Sequence, residues 1–199
     1  MELKTFILIG RSGSGKGTQA KLLMESLRLR DSATPVTYLE AGQKFRDLIA
    51  DDTYTSKLAG EIMKKGGLQP AFLAIHNWSH LFIETITGNE HLIIDGSPRK
   101  LNEARILAEA FKFYNRPKPI VIHIAVSRDW SKDKLLARKR ADDTAADIEE
   151  RLNWYETDVA PAVEYFRDSG SLRVVDINGE QTIEDVQKEI VSKVWNGED

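Results

Sequence analysis

The segment ILIGRSGSGKGTQA, residues 7–20, places four glycines within eight residues directly after an apolar run. Glycine is costly inside a helix or strand, so we expect a loop whose backbone adopts positive φ or approaches a ligand closely. When such a loop joins a strand to a helix, its N–H groups and the helix N-terminus bind phosphate. The segment therefore predicts a phosphate-binding loop in residues 13–18, with Lys16 directed at the phosphates of a nucleotide.

The composition favours one soluble, globular domain. The 199 residues are 41% hydrophobic and 30% charged, which suits one well-filled core. The net charge of -3 gives no electrostatic basis for nucleic acid as the main partner. No apolar run reaches the roughly 20 residues of a membrane span, and we expect no signal peptide and no membrane partner. Because the chain has no cysteine, we expect a cytoplasmic protein without disulfides or structural zinc.

Strand and helix patterns alternate along the chain, which predicts an α/β fold with a central parallel sheet. Most strand patterns are continuously apolar, as in strands buried on both faces. Thr144 and Asp147 form a helix-capping pattern, and we expect Pro161 to kink or end the helix that they open. Residues 41–88 are helical in pattern without a clear strand. The predicted strands cover residues 3–9, 35–40, 91–95, 119–126 and 172–177, and the predicted helices cover 15–30, 101–114 and 144–159.

An aspartate, Asp95, ends the third predicted strand in HLIIDGSPRK. A carboxylate beside the glycine loop can hold the Mg²⁺ of a bound nucleotide. Taken by itself, an Asp-Gly pair after a strand is equally well explained as a turn. Together with the glycine loop, it favours a magnesium site, mostly water-mediated, to which the hydroxyl of Thr18 would contribute.

Several motifs, taken in order, resemble those of the adenylate kinase family of nucleoside monophosphate (NMP) kinases. GRSGSGKGTQA matches the phosphate loop of that family, in which a glycine normally separates the lysine from the threonine. GQKFR (42–46) is similar to its GDxxR segment and DGSPR (95–99) to its DGFPR segment, with Gln43 and Ser97 as departures. RADDTAADIEERL (140–152) resembles its GRxDD…RL segment. The likeness spans nearly the whole chain.

The resemblance implies the fold of P-loop NTPases, a three-layer α/β/α arrangement with a five-stranded parallel sheet. It also implies a single kinase domain, residues 1–199, with a core formed by residues 1–40 and 89–199. Residues 41–88 would then be a helical NMP-binding subdomain inserted into that core.

The segment that carries a lid in the family is minimal in this chain. Only Lys139 separates Arg138 from Arg140, so we expect a lid reduced to about residues 138–143. Lids exclude water and complete the catalytic arrangement, which a short loop would have to do here. Lys134 stands where the family usually has an arginine that stacks on the donor adenine. Lysine has no flat face for stacking, so we expect relaxed selectivity for the donor base.

The activity implied by the resemblance is ATP + AMP = 2 ADP, with Mg²⁺ as cofactor. The attacking phosphate oxygen is already ionised at pH 7, because the second pKa of a phosphate monoester is about 6. No general base is needed, but cations must offset the repulsion between two polyanions. By resemblance, Arg46 and Arg99 hold the acceptor phosphate. Arg138, Arg140 and Arg151 converge on the transferred group, although each arginine alone is also compatible with a solvated helix face.

The identity of the acceptor base stays open at this point. Ala41 and Glu103 stand where adenylate kinases usually carry threonine and glutamine. A glutamate only accepts hydrogen bonds unless it is protonated, so it suits an amino group of guanine or cytosine better than the adenine edge. Alternatively, Glu103 lies on a helix surface and points to water. The overall pattern still favours AMP.

The candidate site residues fall into four groups. The catalytic group is Lys16, Arg99, Arg138, Arg140 and Arg151. The ATP-binding group is Gly13, Ser14, Gly15, Lys16, Gly17, Thr18, Lys134, Arg138 and Gly179. The NMP-binding group is Ala41, Arg46, Gly67, Leu68, Gln69, Gly96, Arg99, Glu103, Arg140 and Arg151. The magnesium group is Thr18 and Asp95.

Other functions compete with this hypothesis. A UMP/CMP or GMP kinase of the same fold would need only a different acceptor base. A kinase that acts on hydroxyl groups would need an aspartate base and would leave the arginines unexplained. A GTPase is disfavoured because the chain lacks an NKxD-type guanine motif. A nucleotide-responsive binding module without turnover has no physical need for so many mutually repelling cations. We expect a monomer whose partners are ATP and an NMP.

Overall fold

A parallel sheet of five strands forms the centre of the protein, with the strand order β2-β3-β1-β4-β5. The computed structural model describes residues 2–116, 118–138, 144–170 and 172–195. The strands are Thr5–Gly10 (β1), Val36–Glu40 (β2), His91–Asp95 (β3), Ile120–Ala125 (β4) and Arg173–Asn178 (β5). They agree with the strands predicted from the sequence to within two residues at either end.

Helices connect the strands and cover both faces of the sheet. The helices are Lys16–Arg30 (α1), Ala41–Ala50 (α2), Tyr54–Lys64 (α3), Ala71–Thr85 (α4), Leu101–Phe113 (α5), Arg128–Arg138 (α6), Ala145–Trp154 (α7), Ala160–Ser169 (α8) and Ile183–Trp195 (α9).

The alternation of side chains along β1 shows how the two faces are filled. Phe6 and Leu8 pack with side chains of α1 and α9 on one face. Ile7 and Ile9 pack with side chains of α4, α5 and α8 on the other face. All six residues of β1 are buried, because both faces of the strand are covered. The three-layer α/β/α fold expected from the sequence is confirmed.

The long crossover between β2 and β3 consists of helices α2, α3 and α4. Phe45 of α2, Ala59 of α3 and Leu73 of α4 form a small apolar cluster that holds the three helices together. The second half of α4 instead packs on the sheet, where Trp78 and Phe82 join the main core. The crossover is thus anchored to the core by α4.

The helical segment that begins after Thr144 contains an irregular turn. The hydroxyl of Thr144 accepts a 3.2 Å hydrogen bond from the N–H of Asp147, as the capping pattern predicts. The α-helical pattern ends at Trp154, and residues Tyr155–Val159 form a π-helical segment. Pro161 then lies in the first turn of α8, directly after this irregular turn.

Two further sequence predictions concern the lid and the absence of a membrane span. Residues 139–143 lie outside the described residues, so the expected lid is represented only by Arg138. Among the helices of the described ranges, none combines the length and apolarity that crossing a membrane requires.

Candidate active site

A cleft of about 660 Å³ opens at the carboxyl ends of β1 and β3. β1 and β3 are neighbours, and Leu8 pairs with Asp95, so the glycine loop and the end of β3 meet at one edge of the sheet. Most of the candidate site residues line this cleft. They are Gly13, Gly15, Lys16, Gly17, Thr18, Arg46, Gly67, Leu68, Gln69, Asp95, Gly96, Arg99, Glu103, Lys134, Arg138 and Arg151.

The glycine loop ends at a helix N-terminus that no side chain caps. Gly15 is the N-cap of α1, with φ 90°, a conformation that strongly favours glycine. The first N–H groups of α1 therefore have no side-chain partner and can donate to an anion. Gly13 also has positive φ, and a Cβ there would lie 3.0 Å from the carbonyl oxygen of Ser131 in α6. The loop is thus shaped for phosphate and packed closely against α6.

Lys16 folds back onto its own loop. Its Nζ donates to the carbonyl oxygens of Gly10 at 2.9 Å and Arg11 at 2.7 Å. Burial lowers the pKa of Lys16 to about 8, an effect that Asp95 opposes and nearby arginines reinforce. The ammonium group therefore lies at the wall of the cleft, held by two carbonyl groups and able to exchange them for phosphate oxygens.

Asp95 lies beside the start of α1. Burial raises the pKa of its carboxyl group, while Lys16 and a 3.2 Å hydrogen bond from the Tyr38 hydroxyl act in the opposite direction. A Cβ at Gly17 would lie 3.3 Å from Asp95 Oδ2, so glycine leaves room beside the carboxylate. Mg²⁺ keeps several waters and takes few protein oxygens, so one carboxylate with the Thr18 hydroxyl is a donor set that fits it.

Two arginines on the α2 side of the cleft are held by local acceptors. Arg46 donates to Glu40 Oε1 at 2.8 Å and to Gln43 Oε1 at 2.7 Å. Gln43, a departure from the family pattern, thus still accepts from the arginine. Arg99 donates from Nε to the carbonyl oxygen of Gly96 at 2.7 Å, and burial lowers the pKa of its guanidinium. Both guanidinium groups are thus held in place by neighbouring oxygen atoms of the protein.

Arg138 and Arg151 reach the cleft from two packed helices. Leu135 of α6 contacts Ile148 and Leu152 of α7 in a small buried cluster. This contact places the end of α6, with Arg138, beside the face of α7 that carries Arg151. Both side chains line the cleft, which argues against the alternative that they belong to a solvated helix face. Arg140 lies outside the described residues.

Glu103 is buried in the wall of the cleft, and the interpretation that it points to water is wrong. Its residue surface is 1% exposed. Oε1 accepts from the Ser97 hydroxyl at 2.8 Å, and Oε2 accepts from the Arg99 N–H at 2.9 Å. Burial raises the pKa of the Glu103 carboxyl group. The sequence left both interpretations open, because a helical pattern alone does not show what covers a given face of α5.

Three further candidates have other surroundings. Ala41 is buried at the start of α2, and Ser14 is buried within the glycine loop. Gly179 follows β5, where a Cβ would lie 2.6 Å from Val126 Cγ1, so close packing explains the glycine. None of these three lines the cleft as the described residues form it.

Two tryptophans near the site were missed by the sequence reasoning. Trp154 lines the cleft, donates from Nε1 to the carbonyl oxygen of Gly66 at 3.0 Å, and lies beneath the guanidinium of Arg99. Its position three residues after Arg151 on one helix was the available signal. Trp130 lies 4.6 Å from Lys134 Nζ, measured to the ring centroid, one turn earlier on α6. Trp130 thus places an aromatic ring beside Lys134, whose own side chain has no flat face.

Comparisons with known proteins agree with this arrangement. Residues 8–171 match the family model described as adenylate kinase. The chain is 33% identical over 193 residues to an adenylate kinase of Azobacteroides pseudotrichonymphae, covering 95% of this chain and 96% of that protein. It is 34% identical over 185 residues to adenylate kinase 1 of Synechocystis sp., covering 91% of each chain. It is 31% identical over 182 residues to an adenylate kinase of Corynebacterium urealyticum, covering 92% and 94%. The chain therefore belongs to the adenylate kinase family.

Proposed function

We propose that the protein is an NMP kinase that transfers the γ-phosphoryl group of ATP to AMP, giving two ADP. The observation that carries the proposal is a set of cationic side chains around one cleft that also contains an uncapped helix N-terminus. The set comprises Lys16, Arg46, Arg99, Arg138 and Arg151. Repulsion among these cations is costly in a protein without ligand and is offset when two polyanions bind. The names of the relatives support AMP as the acceptor.

The reaction needs alignment and charge neutralisation rather than a base. The acceptor phosphate is ionised at neutral pH and attacks the γ-phosphorus directly. Arg46 and Arg99, on the α2 side, would bind the acceptor phosphate in bidentate fashion. Lys16, Arg138 and Arg151 would stabilise the charge that spreads over the transferred group. Mg²⁺, held near Asp95 and Thr18, would neutralise charge on the ATP phosphates.

A GMP kinase is the second candidate, and one observation favours it. Glu103 is buried in the cleft wall with both oxygens accepting hydrogen bonds. An ionised carboxylate that faces a base can accept from an amino group but cannot donate to a ring nitrogen. Adenine presents both groups side by side, whereas guanine presents an amino group next to a ring N–H. The acceptor base is therefore the property that activity assays must decide.

The deciding experiment is a panel of acceptors with ATP and Mg²⁺. The purified protein is assayed with AMP, GMP, CMP, UMP and dTMP, and product NDP is quantified by chromatography. We expect AMP to have the highest kcat/KM. A higher kcat/KM with GMP or CMP would replace AMP as the acceptor and leave the kinase assignment intact. Absence of NDP with every acceptor, while ATP still binds, would favour the nucleotide-responsive binding module.

A further inference from the structure

Arg11 lies inside the glycine loop, yet its side chain points away from the cleft. Its Nη2 forms a 2.6 Å ion pair with Glu156 Oε1, and its Nε donates to the carbonyl oxygen of Val126 at 3.1 Å. The guanidinium carbon lies 4.1 Å from the centroid of the Tyr155 ring. The Arg11 side chain is 13% exposed, so these contacts are mostly shielded from solvent. A partly buried cation with three kinds of partner is held in one position.

The partners of Arg11 adjoin the two helices that carry cleft arginines. Tyr155 and Glu156 begin the π-helical segment, which continues directly from α7 and its Arg151. Val126 follows β4 and precedes α6, which ends in Arg138. The Arg11 side chain thus contacts the segment that follows the helix of Arg151 and the segment that precedes the helix of Arg138.

Further hydrogen bonds hold Tyr155 beneath the guanidinium. The Tyr155 hydroxyl lies 2.8 Å from His123 Nε2, and His123 Nδ1 lies 2.7 Å from Asp176 Oδ1. Asp176 is in turn bound by two nitrogens of Arg167 on α8. The ring is therefore connected to β4, β5 and α8, and these contacts restrain the π-helical segment.

The main chain of Arg11 bears directly on Lys16. Lys16 Nζ donates to the Arg11 carbonyl oxygen at 2.7 Å, and this is the shorter of its two carbonyl contacts. The contacts of the Arg11 side chain with Glu156 and Val126 restrain the backbone of the same residue, and with it the carbonyl group that Lys16 binds. The position of the Lys16 ammonium group is thus coupled to Glu156 and Tyr155.

We infer that Arg11 is a positioning residue for phosphoryl transfer, which sets the glycine loop and Lys16 in register with the helices that carry Arg138 and Arg151. The inference rests on the proposed kinase function. Arg11 does not touch the reacting groups and acts through Lys16 and through the two helices. The glycine pattern of the loop leaves this position open, so the role follows from the contacts and not from the motif.

The test compares substitutions at Arg11 with a matched control. Arg11→Met keeps an apolar stem over Tyr155 but removes the charge, Arg11→Lys keeps the charge, and Glu156→Gln weakens the ion pair from the other side. Arg128→Met is the control, because Arg128 of α6 binds Glu149 at 2.7 Å and Asn153 at 2.7 Å, both on α7. Steady-state kinetics, thermal unfolding and hydrogen exchange of the loop amides are measured for each.

For Arg11→Met we expect kcat to fall roughly tenfold to a hundredfold, since small misplacements of reacting groups have effects of that order. We expect KM for the acceptor to stay within about twofold, because the acceptor groups are untouched. Arg11→Lys should recover part of kcat, and adding Glu156→Gln to Arg11→Met should lower kcat no further. The amide hydrogens of the glycine loop should exchange faster in Arg11→Met than in the unsubstituted protein. In Arg128→Met their exchange rates should be unchanged.

Two results would overturn the inference. One is an Arg11→Met protein with kcat within about twofold of the unsubstituted protein, whatever its unfolding temperature, since the contacts would then serve stability alone. The other is an equal loss of kcat in the Arg128→Met control. Failure of the kinase proposal itself is distinct, since the unsubstituted protein would then produce no NDP.

Discussion

The side chains of Ser97 and Glu103 hydrogen bond to each other at 2.8 Å. They occupy two positions at which the chain departs from the family pattern, in the DGSPR segment and on α5. The two departures are therefore in direct contact. Because Arg99 N–H donates to the other oxygen of Glu103, the carboxylate is fixed on two sides in the wall of the cleft.

This pair leads to a prediction about acceptor selectivity. Glu103→Gln should raise kcat/KM for AMP relative to GMP by roughly fivefold to a hundredfold, equivalent to about 1–3 kcal/mol of discrimination. An amide can accept and donate at the adenine edge, whereas the carboxylate only accepts.

Competition assays with mixed acceptors measure the ratio directly. The double variant Ser97→Ala/Glu103→Gln should raise this ratio further. In that variant the amide has lost the Ser97 hydroxyl as a competing partner and keeps only the Arg99 N–H. Ser97→Ala by itself is the control. An unchanged AMP:GMP ratio in both glutamine variants would show that Glu103 does not read the base.

Lys16→Ala should leave a folded protein with kcat below about a tenth of the original value. Lysine contributes a point charge at the terminal phosphates, where the transition state accumulates negative charge. Circular dichroism and initial rates are compared with those of Lys188→Ala, an exposed lysine on α9. A folded Lys16→Ala protein with substantial turnover would contradict the assignment of the phosphate loop.

The pH dependence of kcat/KM for ATP should report Lys16. Its pKa is lowered to about 8 in the protein without ligand, so the ammonium group loses its proton as pH rises through that value. Phosphate binding favours the protonated form, so kcat/KM should fall above pH 8 by about tenfold per unit. Bound phosphates raise the pKa again, which shifts the corresponding fall in kcat to higher pH. Lys16→Arg should lack the fall near pH 8, and a flat profile in the unsubstituted protein would refute the prediction.

Arg99→Ala should weaken acceptor binding more than ATP binding. A hydrogen bond to a charged group contributes about 1.5–3 kcal/mol, so the Kd for the acceptor should rise by about one to two orders of magnitude. Calorimetry with AMP and with a non-hydrolysable ATP analogue measures both affinities. Arg105→Ala is the control, since Arg105 lies on the solvent-facing side of α5 over Tyr165. Equal losses of both affinities would show that the assignment of Arg99 to the acceptor phosphate is wrong.

Gly66→Ala should destabilise the protein by about 1–3 kcal/mol, the usual range for a strained backbone position. Gly66 has φ 66°, and a Cβ would lie 2.6 Å from the carbonyl oxygen of Asp147 in α7. The same change should raise KM for the acceptor, because residues 67–69 line the cleft. Urea unfolding and steady-state kinetics measure the two effects. Gly60→Ala, with open space around its Cβ, should be neutral or slightly stabilising, and equal losses in both variants would refute the argument.

Several parts of the fold and site follow from local sequence patterns. Continuously apolar runs predict parallel strands that are buried on both faces. The glycine spacing predicts the turn into α1 around Lys16. The Thr144 cap is also local, since its partner lies three residues away. These features depend on backbone chemistry within a few residues, and so can be predicted without a tertiary structure.

Tertiary packing decided the rest. Glu103 lies on α5 with an ordinary amphipathic pattern, and only the docking of that helix buries it against Ser97. Trp154 bonds to Gly66 across 88 positions in the sequence, and the pairing depends on how α7 packs beside the helical crossover. Arg11 is an unremarkable residue of a glycine loop until the π-helical segment brings Glu156 to it. Contacts between distant segments depend on the relative placement of whole helices, which the period and composition of one segment do not encode.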